Sequence, residues 1–550
     1  MDHQTDMNGR SGGTARMTSG PETFLRESPE GLRDFLESVR GKGVSLWSTN
    51  GELRYRGPKG ALTRMELETI RVSKAQILSL LDSAAHDDRP EPSMHGGDVP
   101  LAFSQLAHLR TYRLIGTQYA QRSVRMLAYT MRINGMLNLH CLRRSLAEIV
   151  RRHDALRTRI VVSNGVAVQR ITRDIECEVR VDDLTSFPKE LQESEAERLI
   201  EQLILEPVDI GVAPLFAVQA IRLGQAEHLL VAAFEHMISD AESVSIFVRE
   251  LLMAYTQAVR GESFALPEVP VQFSEYALLQ RAAEKSWIEK HADYWTARLD
   301  GCPIARFPVD SPASGDSDSW LDSVPLRIPS ELKAQLSEWS RLRRTTIVMT
   351  VFTVYVALVL RWCGAPESVI QYQSNGRYSP KFENTIGYFA SAFYLRVGLQ
   401  PGDTFVDLLN RITRVYCEAF EHADSSYLTA QGRCAELTRS PSFNWSTRVS
   451  KTQLSQLDFS GANIRCSPFP WRRVNCIKLG ADREPGVHFY DSDTEIIGKC
   501  FFSSSQFSAA TMVGFVRNFL SLLRVLLQHP DMQVSDVVLV KQFGRRMGQF

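Results

Sequence analysis

A six-residue apolar run, Leu229–Phe234 (LLVAAF), passes without a spacer into Glu235-His-Met-Ile-Ser-Asp240, and this junction most constrains what the chain can become. A run this uniformly apolar reads as a buried strand, bounded upstream by a Gly-Gln-Ala-Glu turn and a second apolar run, Leu215–Leu223. Downstream, the Asp240–Ser243 spacing marks a helix start, and the apolar stripe predicts a helix over Ser243–Val259. The strand–loop–helix delivers His236 to the mouth of a rigid scaffold, where helix-start N–H groups can polarise an oxyanion. Histidine is the side chain best suited to moving a proton near neutral pH. Neighbours on an extended chain point to opposite sides, so if His236 faces a chamber, Glu235 faces away and, once buried, needs a cationic or donor partner.

From Val99 onward, strand-like runs alternate with amphipathic helices, an α/β or α+β pattern, with another helix expected over Phe515–Gln528. At 550 residues the chain is long for one domain, and a small domain before a two-lobed body is expected. Lys+Arg and Asp+Glu both number 63, which argues against a nucleic-acid partner. The nine cysteines are scattered with no CxxC pair, so they read as reduced, mostly buried thiols of a cytoplasmic protein, with no metal site. No apolar run at the N-terminus suits a signal peptide, and Ile347–Leu360 is too short or interrupted to span a bilayer, so no membrane partner is expected.

Residues 1–28 read as a disordered leader, 29–83 as a compact unit and 84–98, rich in Pro, Gly and charge, as a linker. Within the unit, Leu32, Phe35, Leu36 and Val39 have helical spacing, and Val44–Trp47 and Glu52–Arg56 flank an Asn-Gly hairpin signal. Thr63-Arg-Met-Glu66 fits a capping box opening a helix to about Leu81, with Leu67, Ile70, Ile77 and Leu81 inward. The segment is basic: Lys42, Arg54, Arg56, Lys59, Arg64, Arg71 and Lys74 outnumber Glu52, Glu66 and Glu68. Leu53 and Tyr55 are placed toward the helices, and Arg54 and Arg56 outward. A solvated basic face is one reading; an edge that adds an acidic peptide as a β-strand is the other.

The body, from about Pro100 to about Val540, resembles the condensation-domain superfamily of nonribosomal peptide synthetases. The resemblance rests on segments in the family's order: Pro100–Gln105 (PLAFSQ), Arg152-His-Asp-Ala-Leu-Arg-Thr158, Glu235-His236…Asp240-Ala241 against HHxxxDG, Gln272–Ala277, Tyr294-Trp295 with Phe307–Asp310, Asn375-Gly-Arg377, and Ile386-Gly-Tyr-Phe389. It implies two chloramphenicol-acetyltransferase-like lobes, a V-shaped pseudo-dimer, here 99–275 and 276–550, with a tunnel between them. It also implies that His236 is catalytic, that Asp240 pairs with Arg377 of the other lobe, and that Asn444 lines the tunnel. Independently of the family, Asp240 suits a helix N-cap. Leu46–Thr63 (LWSTNGELRYRGPKGALT) resembles the TubC-type β-hairpin docking domain, an α-β-β-α unit, with Lys42, Arg54, Arg56 and Lys59 as contacts for the C-terminal peptide of an upstream acyl or peptidyl carrier protein.

Two departures stand out. Glu235 replaces the first motif histidine, and Ala241 replaces the motif glycine, its added methyl lying near the acceptor route. Glu235, Asp240 and Ser243 echo the heterocyclising DxxxxDxxS pattern, but those members lack the histidine this chain keeps. The implied activity is transfer of a carrier-bound acyl thioester to a small-molecule or carrier-bound amine or alcohol, with chain release expected because no further module follows. No bound cofactor is expected; the partner's phosphopantetheine arm carries the substrate. A silent carrier-binding scaffold, heterocyclisation and coenzyme-A-dependent transfer are the alternatives. Arg152, His153 and Arg157 read as stabilising the first lobe, and His108, His422 and His488 as structural or surface residues.

Overall fold

The computed structural model describes residues 35–36, 39, 45–49, 52–56, 62–74, 76–77, 97–115, 127–311, 321–422, 427–428, 435–447, 464–469, 483–492 and 494–540. The chain divides into two compact units, Met1–Met94 and His95–Phe550. The expected leader, 1–28, and all but the last two residues of the expected linker, 84–98, lie outside the described residues.

In the first unit, β1 (Ser45–Thr49) and β2 (Glu52–Arg56) pair antiparallel from Ser45↔Arg56 to Thr49↔Glu52. Thr63 and Glu66 close a reciprocal capping box at the start of α1 (Arg64–Val72). The helix breaks for one residue at Ser73 and helical geometry resumes at 74, 76 and 77, where Ile77 packs with Leu36 and Ile70 against Leu53. Lys42 and Lys59 lie outside the described residues, as do the side chains of Arg54 and Arg56.

The second unit is mixed α/β. Its first lobe comprises β3 (Val99–Pro100), α2 (Phe103–Ile115), β4 (Leu127–Asn134), α3 (Leu139–Arg152), β5 (Thr158–Ser163), β6 (Val166–Ile171), β7 (Val179–Asp183), α4 (Lys189–Leu205), β8 (Phe216–Gly224), β9 (Glu227–Phe234), α5 (Ala241–Arg260) and α6 (Phe273–Ala282). After α7 (Glu284–Leu299), the second lobe contains β10 (Leu321–Ile328), α8 (Ser330–Leu342), α9 (Ile347–Cys363), β11 (Glu367–Ser374), β12 (Ser391–Gly398), α10 (Phe405–Glu421), β13 (Ser442–Thr447), β14 (Arg465–Pro468), β15 (Gly486–Asp491), β16 (Ile496–Ser503) and α11 (Ala509–Gln528).

The large sheets run β14-β4-β9-β8-β7 and β10-β16-β15-β13-β11-β12. Strand β14 belongs in sequence to the second lobe, yet it pairs antiparallel with β4 at the edge of the first sheet. Packing explains why β9 is apolar throughout. Leu229, Val231 and Ala233 fill the core against α4, while Leu230, Ala232 and Phe234 fill the opposite core with residues of α3 and α5. Each buried Leu, Val or Phe contributes roughly 1.5–3 kcal/mol of transfer free energy.

The chain changes lobes between two adjacent helices: Phe273 and Ala277 of α6 pack in the first core, Trp295 and Leu299 of α7 in the second. Helix α11 begins at Ala509, six residues before the apolar stripe that predicts it, because the Ser508 hydroxyl caps its first turn. It is long and apolar enough to cross a membrane, but Phe515, Phe519, Leu522, Leu523 and Leu526 lie within the second core. Of the described cysteines only Cys141 and Cys500 are buried, fewer than the scattered pattern predicts.

Candidate active site

Strand β9 ends at Phe234, and a short 3-10 turn, His236–Ile238, precedes Asp240. The turn is held from three sides. Glu235 N donates to Leu215 O (2.9 Å), Ser239 Oγ to Glu235 O (2.9 Å), and Gln105 Nε2 of α2 to Met237 O (2.8 Å). His236 is half-buried at the apex. Burial, and next the charge of nearby His108, push its imidazole down to about 4, against the opposing pull of Glu235 and Asp240. At neutral pH the ring is therefore a free base.

That displacement has a consequence for stability. An unfolded histidine takes up its proton near pH 6.5, whereas His236 in the fold does so only near 4, so the unfolded chain binds more protons between these values. Stability attributable to His236 is full above pH 6.5 and lost as pH falls toward 4, with a slope of at most about 1.4 kcal/mol per pH unit. Urea midpoints of the wild type and His236→Gln measured from pH 7.5 to pH 4.5 are expected to converge or cross at the acid end; parallel curves would contradict the assignment.

Asp240 caps α5, its Oδ1 accepting from Ser243 N (2.8 Å) and Ser243 Oγ (2.7 Å). The same carboxylate holds Arg377 in a two-pronged pair across the lobes, Nη1–Oδ2 2.9 Å and Nη2–Oδ1 3.1 Å, with side chains only 3% and 2% exposed. The cap and the inter-lobe pair are thus one arrangement. Phe389 N (3.0 Å) and Ala390 N (3.2 Å) also donate to Oδ2, and Arg377 Nη2 reaches Ser243 Oγ and Thr385 O, both at 3.0 Å. Ser243 Oγ also lies 2.7 Å from Gly387 O, so Asp240 Oδ1 and this carbonyl share its single proton. Gly376, at φ +68°, gives Arg377 this approach: a Cβ there would lie 1.8 Å from Phe389 O.

Glu235 is buried and has the donor its burial requires: its backbone is still extended (φ −72°, ψ 140°), and its carboxylate folds back on the following turn to accept from Met237 N. Its Oε1 lies 3.9 Å from Nε2 of His108, on the flank of His236. Two helix-start donors available in principle for an oxyanion, Ser243 N and Val244 N, are already taken by Asp240. Ala241 is exposed at the first turn of α5. Asn444 lies on β13, where alternation sets it with Ser446 on the face opposite the core residue Phe443. On the neighbouring strand His488 bonds Ser446 Oγ (2.8 Å) and Tyr490 OH (3.0 Å).

Two neighbours of His236 escape sequence reasoning. The Tyr388 ring lies 4.3 Å from its ring centroid and the His108 ring 5.2 Å. His108 follows Gln105 by three residues, the spacing that shares a helix face, but nothing local ties that face to residue 236. His422 is structural, stacked on Tyr294 at 3.8 Å and bonded to His291. Arg152 and His153 both pair with the fully buried Glu250, and Arg157 Nε donates to Val150 O (3.1 Å), so these three brace the first lobe.

The site thus sets a half-buried imidazole on a turn beside a carboxylate–guanidinium clamp that joins two α/β lobes. Residues 110–547 match the condensation-domain model and residues 32–82 the TubC N-terminal docking domain. The chain belongs to the condensation-domain family. The beauvericin nonribosomal cyclodepsipeptide synthetase of Beauveria bassiana is 27% identical over 74% of this chain, but that match covers 13% of the synthetase. The phosphinothricin tripeptide synthetase PhsC of Streptomyces viridochromogenes is 28% identical over 66% of this chain and 34% of its own length, so the chain spans only a minor part of either relative. Among solved structures, the X-domain in complex with OxyB from teicoplanin biosynthesis (TM-score 0.66, 20% identity, 82% of this chain and 97% of that one) has the same fold. So does the SgcC5 protein of Streptomyces globisporus (TM-score 0.66, 22% identity, 79% of this chain and 100% of that one).

Proposed function

We propose that this protein transfers an acyl group from a carrier-bound thioester to an amine or alcohol at His236, in a nonribosomal-peptide or polyketide pathway. The observation that carries this reading is the half-buried, free-base imidazole of His236 on a turn fixed by the Asp240–Arg377 pair. The ring accepts a hydrogen bond from the acceptor's N–H or O–H and holds the nucleophile against the thioester carbonyl. The new C–N or C–O bond forms as the C–S bond breaks, and the acceptor's proton leaves for the phosphopantetheine thiolate by way of the imidazole. The donor is an acyl or peptidyl carrier protein recruited through the β1–β2 hairpin, whose β2 carries Arg54 and Arg56. The SgcC5 structure holds an aryl ethanediol, which supports including alcohols beside amines as acceptors.

Purified protein mixed with acyl-loaded carrier and a panel of amines and alcohols is expected to give amide or ester detectable by mass spectrometry. His236→Ala is expected to lower turnover by about 10²–10⁴-fold, the range for a lost general acid–base group. Turnover equal to wild type in a folded His236→Ala would refute the reading. The alternative, a catalytically silent carrier-binding scaffold, draws on Glu235 at the first motif position and on the X-domain, solved as a complex with OxyB. Carrier binding without product across the whole panel would favour it.

A further inference from the structure

The environment of His236 contains a second imidazole, His108, which the proposed transfer does not use. His108 projects from α2, which is strapped to the site by Gln105 Nε2 on Met237 O (2.8 Å) and by Ser104 Oγ on Tyr388 O (2.5 Å). Its ring is 10% exposed, tilted 48° to His236 at 5.2 Å and edge-on to Tyr388 at 5.4 Å. Behind it lies Glu235, 1% exposed, whose Oε1 is 3.9 Å from His108 Nε2. That separation is too long for a hydrogen bond and lies at the outer edge of electrostatic contact. A carboxylate so thoroughly desolvated requires compensation, and a backbone N–H and an imidazole are among the groups that supply it here. The chain thus carries an acid–histidine pair directly beside the histidine its motif supplies.

We propose that His108 is a positioning residue for the reaction at His236: seated on α2 beside the buried Glu235, it offsets the pull of that carboxylate on the His236 ring, while its own ring and that of Tyr388 fix the His236 ring between them. The inference deepens the acyl-transfer reading and rests on it, since a free-base imidazole matters only if His236 meets the nucleophile. The groups facing His236 are Glu235 and Asp240 from its own segment, His108 from α2 and Tyr388 from the segment before β12, with Arg377 neutralising Asp240. Among these, His108 acts against protonation of His236, and Glu235 and Asp240 favour it. Removing His108 leaves the pull of the Glu235 carboxylate on His236 unopposed by that imidazole, so His236 becomes easier to protonate.

The test titrates the full chain labelled with ¹⁵N-histidine by NMR, with His236→Gln to assign the ring signals. In His108→Leu the His236 midpoint is expected to rise by about one pH unit, a tenfold change in its protonation equilibrium. In His108→Leu/Glu235→Gln it is expected to fall back toward wild type, because the carboxylate is gone too. A merely structural role for His108 moves neither value. A His236 midpoint in folded His108→Leu no higher than wild type overturns the proposal; His108→Asn serves if the leucine variant fails to fold. The titration needs no substrate, so it stands or falls separately from the acyl-transfer assay. If that assay is positive, the acid limb of kcat/KM is expected to move up with the His236 midpoint.

Discussion

Arg377→Ala is expected to lower the unfolding free energy by about 3–5 kcal/mol, the cost of leaving a buried charge without its partner. Asp240 and Arg377 are both almost sealed from water, so no solvent can replace the lost guanidinium at the carboxylate. The substitution also removes the donors to Ser243 Oγ and Thr385 O, leaving Gly387, Phe389 and Ala390 to hold the second-lobe segment 375–390 to the start of α5. Urea denaturation at neutral pH measures the loss. Asp240→Asn retains an oxygen that can cap α5 while discarding the charge, and Arg377→Met keeps much of the stem. The double variant is therefore expected to lose at least about 2 kcal/mol less than the sum of the single variants. Additive losses would mean that the pair is not energetically coupled.

Gly376→Ala is expected to be nearly as damaging, for a different reason. The residue before Arg377 combines a left-handed backbone, φ +68°, with a Cβ position that would overlap the Phe389 carbonyl oxygen at 1.8 Å. Left-handed strain alone costs roughly 1–2 kcal/mol, and a backbone clash that must be relieved adds about 1–3 kcal/mol. Relief requires Phe389 or the 375–377 turn to move, and Phe389 N is one of the donors to Asp240. A lowered urea midpoint is expected together with weaker turnover in the acyl-transfer assay. Gly402→Ala serves as a comparison: it has the same backbone sign, φ +83°, with open space at its Cβ, so it isolates the strain. Equal losses for the two glycines would remove the clash from the explanation.

What could be read from the amino-acid order was largely local. The apolar strand, the Asp-x-x-Ser helix start and the Asn-Gly hairpin each depend on residues close together, and their elements formed with shifts of a few residues at the ends. The Asp240–Arg377 pair joins positions 137 residues apart and was accessible only through the motif resemblance. His108 illustrates the limit: its helix face is legible, but its approach to His236 depends on how α2 seats against the end of β9. The buried Glu235 needs a donor partner, which is legible in the sequence, but that the donor is Met237 N follows from the 3-10 segment after the strand, which no alternation specifies. Strand β14 gave no usable pattern, since four residues ending in proline carry little periodicity and their partner lies more than 300 positions earlier.

That borrowed strand decides how the molecule can be cut. With residues 465–468 removed, β4 would show a row of unsatisfied backbone donors and acceptors along Met131–Asn134, the kind of bare margin on which sheets of separate molecules zip together. A fragment stopping after α6 therefore inherits a self-association hazard that the intact polypeptide masks by stitching one half's sheet with thread from the other.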